Sequence, residues 1–315
     1  MFDVVCVGNL VADAIANPVK TIPAKGKLEL VDKISLFTGG CAANSAVDMT
    51  KIGLNVSIIG LLGDDGFGGF MRSSLQEQGL NITGVKTKEN SSTSASLVMI
   101  SPDGERSFIH SVGANGSFLE KDIDYSIIEQ TDIVFVAGFM LMPAFDGEEC
   151  ANFLKKCKQM GKTTILDTAW DSTGKWMKLL KPSMQYIDYF LPSLDEAQQL
   201  SGREDSVEIA DYFLELGPKV VAIKLGKDGC LIKTKAGQQI FVPAFTGIKA
   251  VDTTGAGDSF CAGFITGLVR GWDLYNCGLF ANAVGAHCVM AAGASSGIKS
   301  QGEILDFIDK HKTNK

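Results

Sequence analysis

The sequence predicts an α/β protein with a mainly parallel central sheet, helices on both of its faces, and a small additional β-sheet. Short, almost continuous apolar runs alternate with helical patterns along most of the 315 residues. Three other segments alternate apolar and polar residues, which is typical of strands with one solvated face. Because apolar strands need cover on both faces and alternating strands on only one, we expect two different sheets.

The apolar runs follow the order of repeated strand–helix units. Predicted strands of the central sheet lie at residues 2–7, 55–62, 133–137, 163–166, 189–192 and 220–225. Predicted helices lie at residues 42–52, 68–78 and 259–270.

The alternating segments are residues 28–37, 94–100 and 106–111. The run SPDGE at residues 101–105 is a turn signal, so it predicts a hairpin between the last two segments. We expect one domain over residues 1–315, with these strands forming a lid inserted from about residues 17–38 and 93–113. The alternative is a hairpin that extends the central sheet at its edge.

Composition excludes several classes of function. The net charge of −7 argues against nucleic acid or an anionic membrane as the main partner. No apolar run reaches the ~18 residues of a membrane span, and the first ten residues lack the basic start of a signal peptide. The eight cysteines form no CxxC pair, which is typical of free thiols in a reducing cytosol. We therefore expect a cytoplasmic protein.

The most informative motif is the run DTTGAGD at residues 252–258, directly before an apolar helix. Glycines let backbone N–H groups converge on an anion, and a helix N-terminus stabilises negative charge there. Asp258 would lie in the first turn, within reach of a hydroxyl proton. Alternatively, Asp258 only stabilises the helix start and the glycines form a plain loop.

A second motif, GGCAANSA at residues 39–46, also precedes a helical pattern. Its glycines would bring the backbone against a ligand, and Asn44 offers both a hydrogen-bond donor and an acceptor. Asp13 follows the first strand in the run GNLVAD at residues 8–13. Taken alone, Asp13 is a loop acid and Asn44 a helix cap.

These two motifs resemble the second and first signatures of the ribokinase, or PfkB, family of carbohydrate kinases, and the resemblance runs from about residue 3 to residue 310. It implies a ribokinase-like fold and ATP-dependent phosphorylation of a hydroxyl on a small sugar. Asp258 would be the general base, and the backbone at Gly255, Ala256 and Gly257 would form the anion hole. The sugar-binding residues implied by the resemblance are Asp13, Gly39, Gly40, Asn44 and Arg106.

The run KLGKDG at residues 224–229 resembles the family's Thr-x-Gly-x-x-Gly nucleotide loop, with Lys224 in place of the threonine. The resemblance assigns Lys224, Gly226 and Gly229 to ATP, and Asn282 aligns with the segment beside the adenine. A solvated Lys224 and an Asn282 packed between helices are the alternatives.

The run SLDE at residues 193–196 resembles the family's Asn-x-x-Glu, with Ser193 replacing the asparagine. Glu196 would act on Mg²⁺ through water, although a capping box between Ser193 and Glu196 is the rival interpretation. Asp252 and the loop at residues 292–294 resemble the family's monovalent-cation site, which implies K⁺.

Several alternatives remain open. A dehydrogenase is disfavoured because no GxGxxG follows the first strand, and a P-loop enzyme because GxxxxGK[ST] is absent. A nucleoside kinase, a phosphosugar kinase and a non-catalytic sugar-binding protein stay possible. A phosphosugar would need cations, and the predicted lid offers Arg106, Lys27 and Lys33. The lid's apolar positions predict a homodimer; they are Leu28, Leu30, Ile34, Leu36, Leu97 and Met99.

Overall fold

The computed structural model describes residues 1–102 and 105–312, without the side chains of Arg106 and Lys312. The strands are β1 (Val4–Gly8), β2 (Val11–Asn17), β3 (Lys33–Gly39), β4 (Val56–Gly63), β5 (Asn81–Lys88), β6 (Ala95–Ile100), β7 (Arg106–Ser111), β8 (Ile133–Phe139), β9 (Thr163–Thr168), β10 (Tyr189–Phe190), β11 (Val220–Lys224), β12 (Cys230–Thr234) and β13 (Gln239–Val242). The helices are α1 (Cys41–Ile52), α2 (Gly66–Glu77), α3 (Tyr125–Ile128), α4 (Glu148–Gln159), α5 (Met177–Met184), α6 (Leu194–Ser201), α7 (Ser206–Leu216), α8 (Ala256–Val269), α9 (Leu274–Val289) and α10 (Gln301–Lys312).

The large sheet has the strand order β13-β12-β11-β10-β9-β8-β1-β4-β5. Pairing is parallel from β11 to β5, and β12 and β13 add an antiparallel edge. Side chains of β1 alternate between two buried clusters, with Val4 and Cys6 in one and Val5 and Val7 in the other. The prediction of a mainly parallel sheet buried on both faces is confirmed.

The helices divide between the two faces of the large sheet. Helices α1, α2, α8, α9 and α10 contribute to one buried cluster, and α3 to α7 contribute to the other. Within the described ranges, no helix is both long and apolar enough to cross a membrane.

A second, four-stranded sheet has the order β3-β2-β6-β7. Strands β6 and β7 form the predicted antiparallel hairpin, although Asp103 and Gly104 of its turn lie outside the described residues. Because β6 pairs with β2 and not with the large sheet, the alternative of an extended central sheet is wrong.

Two details of the predicted lid are corrected. Strand β2 was missed because its first residue, Val11, follows β1 after only two residues, so the segment was interpreted as a loop. Residues 28–32 form no strand, although their pattern alternates. The antiparallel pairing of β3 with β2 stops at Lys33 and Asn17. The next residue after Asn17 is Pro18, which has no amide N–H to continue the pairing, so residues 28–32 have no strand to pair with. Lys27 consequently lies outside the sheet.

Candidate active site

Asp258 lies in the first turn of α8, at the carboxyl edge of the large sheet. The helix begins after Gly255, whose φ of 78° favours glycine, and a methyl group there would lie 2.6 Å from the Ala294 Cβ. The Ala256 N–H, which the sequence placed in the anion hole, instead donates to the Thr253 carbonyl at 3.2 Å. In the described part of the chain, the N–H groups of Gly257 and Asp258 have no acceptor, so they are available to an anion.

Helix α1 holds the Asp258 carboxylate from the other side. The Asn44 side-chain amide donates to Asp258 Oδ2 at 2.8 Å, and Ser45 Oγ donates to the Asp258 carbonyl at 3.1 Å. The Asn44 Oδ1 atom is buried and has no hydrogen-bond partner among the described residues. Because a buried acceptor without a partner is costly, this atom is suited to a ligand hydroxyl.

Burial raises the pKa of Asp258, and hydrogen bonding by Asn44 together with the charge of Lys224 partly opposes the rise. A carboxylate with a raised pKa is a stronger base than an exposed aspartate. The site therefore combines a proton acceptor with N–H groups that stabilise negative charge.

A cavity of about 530 Å³ opens in front of Asp258. Its wall contains Lys224, which pairs with Asp167 at 2.7 Å and is only 11% exposed. The interpretation of Lys224 as a solvated side chain is therefore wrong. Burial lowers the pKa of Lys224, but the charge of Asp167, supported by Cys261 and Glu196, outweighs this and leaves the pKa raised. The ammonium stays charged.

Glu196 lines the same cavity and also forms the capping box. Its Oε2 atom accepts from the Ser193 N–H at 3.1 Å and from Thr168 Oγ1 at 3.0 Å. Its Oε1 atom has no hydrogen bond among the described residues. The two interpretations of Glu196 are therefore compatible, because each uses a different carboxylate oxygen.

A second cavity, of about 370 Å³, adjoins the first and is lined mainly by apolar side chains such as Phe245 and Ile248. Gly226, Gly229 and Asn282 lie in its wall. The Asn282 amide also donates to the carbonyls of Val242 and Pro243, so it packs α9 against the end of β13. Both interpretations of Asn282 are thus compatible with its position.

Asp13 lies in β2, with its carboxylate against the backbone of Gly39, where a methyl group would lie 2.1 Å from Oδ2. Gly40 has a φ of 93°, and a methyl group on it would lie 2.5 Å from the Asn9 carbonyl oxygen. Both glycines are therefore required for the close approach of β2 to the start of α1. The Arg106 side chain lies outside the described residues.

Asp252 joins the loop before α8 to the loop after α9. Its Oδ1 accepts from the Thr254 N–H and its Oδ2 from the Gly293 N–H, both at 2.8 Å. The Cys288 thiol contacts the Thr254 and Ala294 carbonyl oxygens at 3.3 and 3.1 Å. A carboxylate and two loop carbonyls are thus gathered beside the start of α8.

Residues 1–301 match the family model that describes the pfkB family carbohydrate kinases. It belongs to the PfkB family of carbohydrate kinases. It is 30% identical to the aminoimidazole riboside kinase of Salmonella typhimurium over 283 residues, covering 87% of this chain and 88% of that one. It is 28% identical to the ribokinase of Haemophilus influenzae, over 96% and 97% of the two chains.

Solved structures agree with this assignment. Ribokinase of Arabidopsis thaliana, complexed with ribose and ATP, superposes with a TM-score of 0.85 at 26% identity, over 98% of each chain. Ribokinase of Thermotoga maritima superposes with a TM-score of 0.84 at 27% identity, over 98% of this chain and all of that one. The predicted ribokinase-like fold is confirmed.

Three residues near this PfkB site were missed by sequence reasoning. Asp167 is the last residue but one of β9, and an acid at the carboxyl end of a buried parallel strand was a usable signal. Ser96 and His110 are neighbours of Asp13 across β6 and β7, with Ser96 Oγ 3.1 Å from His110 Nδ1. Ser96 also lowers the pKa of Asp13, against the rise caused by burial. Only the strand register brings these three together.

Proposed function

We propose that this protein transfers the γ-phosphoryl group of ATP to a hydroxyl of a small sugar or sugar-like acceptor, with Asp258 as the general base. The observation that carries the proposal is the position of the Asp258 carboxylate. It lies at the start of α8, beside N–H groups without an acceptor and against the Asn44 amide. In this arrangement the carboxylate can accept the hydroxyl proton, and the N–H groups can stabilise the negative charge on the phosphoryl group.

Phosphoryl transfer has a loose transition state, so the protein mainly aligns the hydroxyl and neutralises charge on the phosphoryl oxygens. Asp258 accepts the proton of the acceptor hydroxyl as that oxygen bonds to phosphorus. The N–H groups of Gly257 and Asp258 stabilise the phosphoryl oxygens, together with the partial positive charge of the helix N-terminus.

The acceptor is proposed to bind between the small sheet and the start of α1. Asp13 accepts hydrogen bonds from its hydroxyls, and the unpartnered Oδ1 of Asn44 accepts another. Burial raises the pKa of Asp13, whereas its hydrogen bond with Ser96 opposes the rise. The backbone of Gly39 and Gly40, next to Asp13 and the start of α1, and the Arg106 side chain remain proposed contacts of the sugar.

ATP is proposed to bind with its base in the apolar cavity beside Asn282 and its phosphates over Gly226, Gly229 and Lys224. Glu196, with its unengaged Oε1, fits a Mg²⁺ ion held through water. When bound, Mg²⁺ neutralises charge on the β- and γ-phosphates.

We further propose a K⁺ site at Asp252 and the carbonyls of Thr254 and Ala294, because these oxygens converge beside the anion hole without lining the acceptor cavity. An ion there would hold the start of α8 in place.

A cytoplasmic location is proposed from the kinase function, since ATP and phosphorylated sugars are cytosolic metabolites.

A homodimer through the small sheet is proposed from its outer face. Leu36, Ala14, Leu97 and Ile109 form one cross-strand row, and the three larger side chains are 43%, 51% and 59% exposed. Burial of exposed apolar side chains is favourable, and the same row on a second copy of the chain would supply an apolar surface to cover it.

The decisive experiment is a substrate screen with purified protein. Free sugars, sugar phosphates and nucleosides are tested with ATP·Mg²⁺, and release of ADP and melting temperature are measured. We expect ADP release with a free sugar. Turnover confined to nucleosides or sugar phosphates would move the acceptor to those classes, and sugar binding without turnover would identify a non-catalytic protein.

A further inference from the structure

Lys224 is the only cation among the described residues that line the cavity in front of Asp258, whereas four carboxylates line it. Those acids are Asp167, Asp195, Glu196 and Asp258. A triphosphate entering this cavity meets strong negative charge, so the single ammonium has a large share in balancing it.

The Lys224 ammonium lies at the junction of the two cavities. Lys224, Gly226 and Gly257 line both the cavity with Asp258 and the apolar cavity with Asn282. A phosphate chain that connects a base in one cavity with an acceptor in the other must cross this junction. A methyl group placed on Gly257 would lie 3.4 Å from Lys224 Nζ, so the ammonium is adjacent to the anion hole.

The ammonium is held in place by one partner and keeps a donor for another. Asp167 Oδ1 accepts from Nζ at 2.7 Å, and the Cys261 sulfur lies 3.9 Å away as a weak acceptor. An ammonium has three N–H donors, so at least one remains for a ligand. The Asp167 side chain is 3% exposed, which fixes its position.

From this geometry we infer that Lys224 binds the γ-phosphate of ATP and stabilises the phosphoryl group during transfer, while Asp167 positions it. The inference rests on the proposed kinase function. The acceptor oxygen bonds to the γ-phosphorus, the bond from phosphorus to the β,γ-bridging oxygen breaks, its electron pair leaves with ADP, and the hydroxyl proton passes to Asp258. Lys224 loses no proton in this step.

A purely structural role for the ion pair makes a different prediction. Lys233 provides the comparison, because its ammonium is also 11% exposed and pairs with Asp211 at 2.6 Å, on β12 and away from both cavities. If Lys224 only stabilises the fold, removing the Lys224–Asp167 pair should affect nucleotide affinity and kcat no more than removing the Lys233–Asp211 pair.

The test is the double variant Lys224→Met/Asp167→Asn, which removes the ammonium without leaving an uncompensated buried charge. Binding of ADP and of the non-hydrolysable β,γ-imido analogue of ATP is measured by calorimetry. Loss of one charged hydrogen bond should weaken the analogue about 10- to 100-fold and leave ADP affinity within about twofold. The kcat should fall about 100- to 1,000-fold.

The matched control Lys233→Met/Asp211→Asn should keep both affinities and kcat. The single variant Asp167→Asn should still bind the ATP analogue more tightly than ADP, but by a smaller factor than wild type. The Lys224 ammonium is still present in this variant, but Asp167 no longer fixes its position. Equal weakening of ADP and the analogue, or no weakening beyond that of the control, would overturn the inference. Wild-type protein that binds no ATP would instead refute the proposed function.

Discussion

Replacing the carboxylate of Asp258 by an amide separates chemistry from binding. In Asp258→Asn the side-chain oxygen still accepts from Asn44, and the backbone carbonyl still accepts from Ser45, so the packing of α1 on α8 is retained. Loss of a positioned base typically costs 10²- to 10⁴-fold in rate. We therefore expect kcat to fall about 100- to 10,000-fold, which is about 3 to 5 kcal/mol in the activation free energy.

The assay is steady-state ADP release with the acceptor found in the screen, alongside calorimetric binding of ATP and acceptor. Both affinities should stay close to wild type. The melting temperature should not fall, because burial disfavours the charged form of Asp258 and the amide is neutral. In wild type, kcat should decline as the pH falls through the raised pKa of Asp258.

Asp48→Asn is the matched control for this variant. Asp48 is a fully buried acid one turn after Asn44, and it accepts from Ser259 Oγ at 2.5 Å without lining the cavity in front of Asp258. It should keep most of the wild-type kcat. If Asp258→Asn retained more than about a tenth of kcat, Asp258 would be a helix-stabilising residue and the base would lie elsewhere.

Four further predictions concern binding, pH, ions and assembly. Asp13→Ala should raise the acceptor KM strongly and leave ATP affinity unchanged; an unchanged acceptor KM would remove Asp13 from the site. Burial raises the pKa of Asp48 to about 7, so wild type should lose stability as the pH rises from about 4 to above 7. Over that pH range the free energy of unfolding of Asp48→Asn, measured by chemical denaturation, should fall by up to about 4 kcal/mol less than that of wild type. An equal dependence of unfolding free energy on pH in the two proteins would contradict this. K⁺ should raise kcat above its value in sodium or tetramethylammonium buffer, whereas equal rates would argue against the Asp252 site. Sedimentation at micromolar concentration should show a dimer that Leu97→Lys dissociates, and a wild-type monomer would refute the small-sheet interface.

Local pattern was sufficient for six strands of the large sheet, although it did not reveal β5, β12 or β13. Apolar runs such as residues 133–137 and 220–225 became β8 and β11, since a strand buried on both faces requires apolar side chains at every position. Asp258 and the glycines before it were identified because residues 252–258 resemble the second signature of the PfkB family. These features depend on residues close together in the chain.

The contacts that make the site depended on the tertiary structure. Asn44 and Asp258 are 214 residues apart, and Lys224 and Asp167 are 57 apart. Sequence spacing does not reveal such pairs, because they depend on which strands are neighbours and which helix starts meet.

Strand β2 illustrates the same division. Its residues were interpreted as a loop, since a short segment directly after a buried strand has no local signal that it joins another sheet. Pairing with β3 and β6 makes it the centre of the small sheet and places Asp13 beside Gly39 and Ser96. The sequence by itself determined the fold class and the family, and it predicted the helix start and the carboxylate that we propose as the anion hole and the base. Only the tertiary structure decided which groups surround them, because cross-strand register and helix packing are properties of the assembled chain.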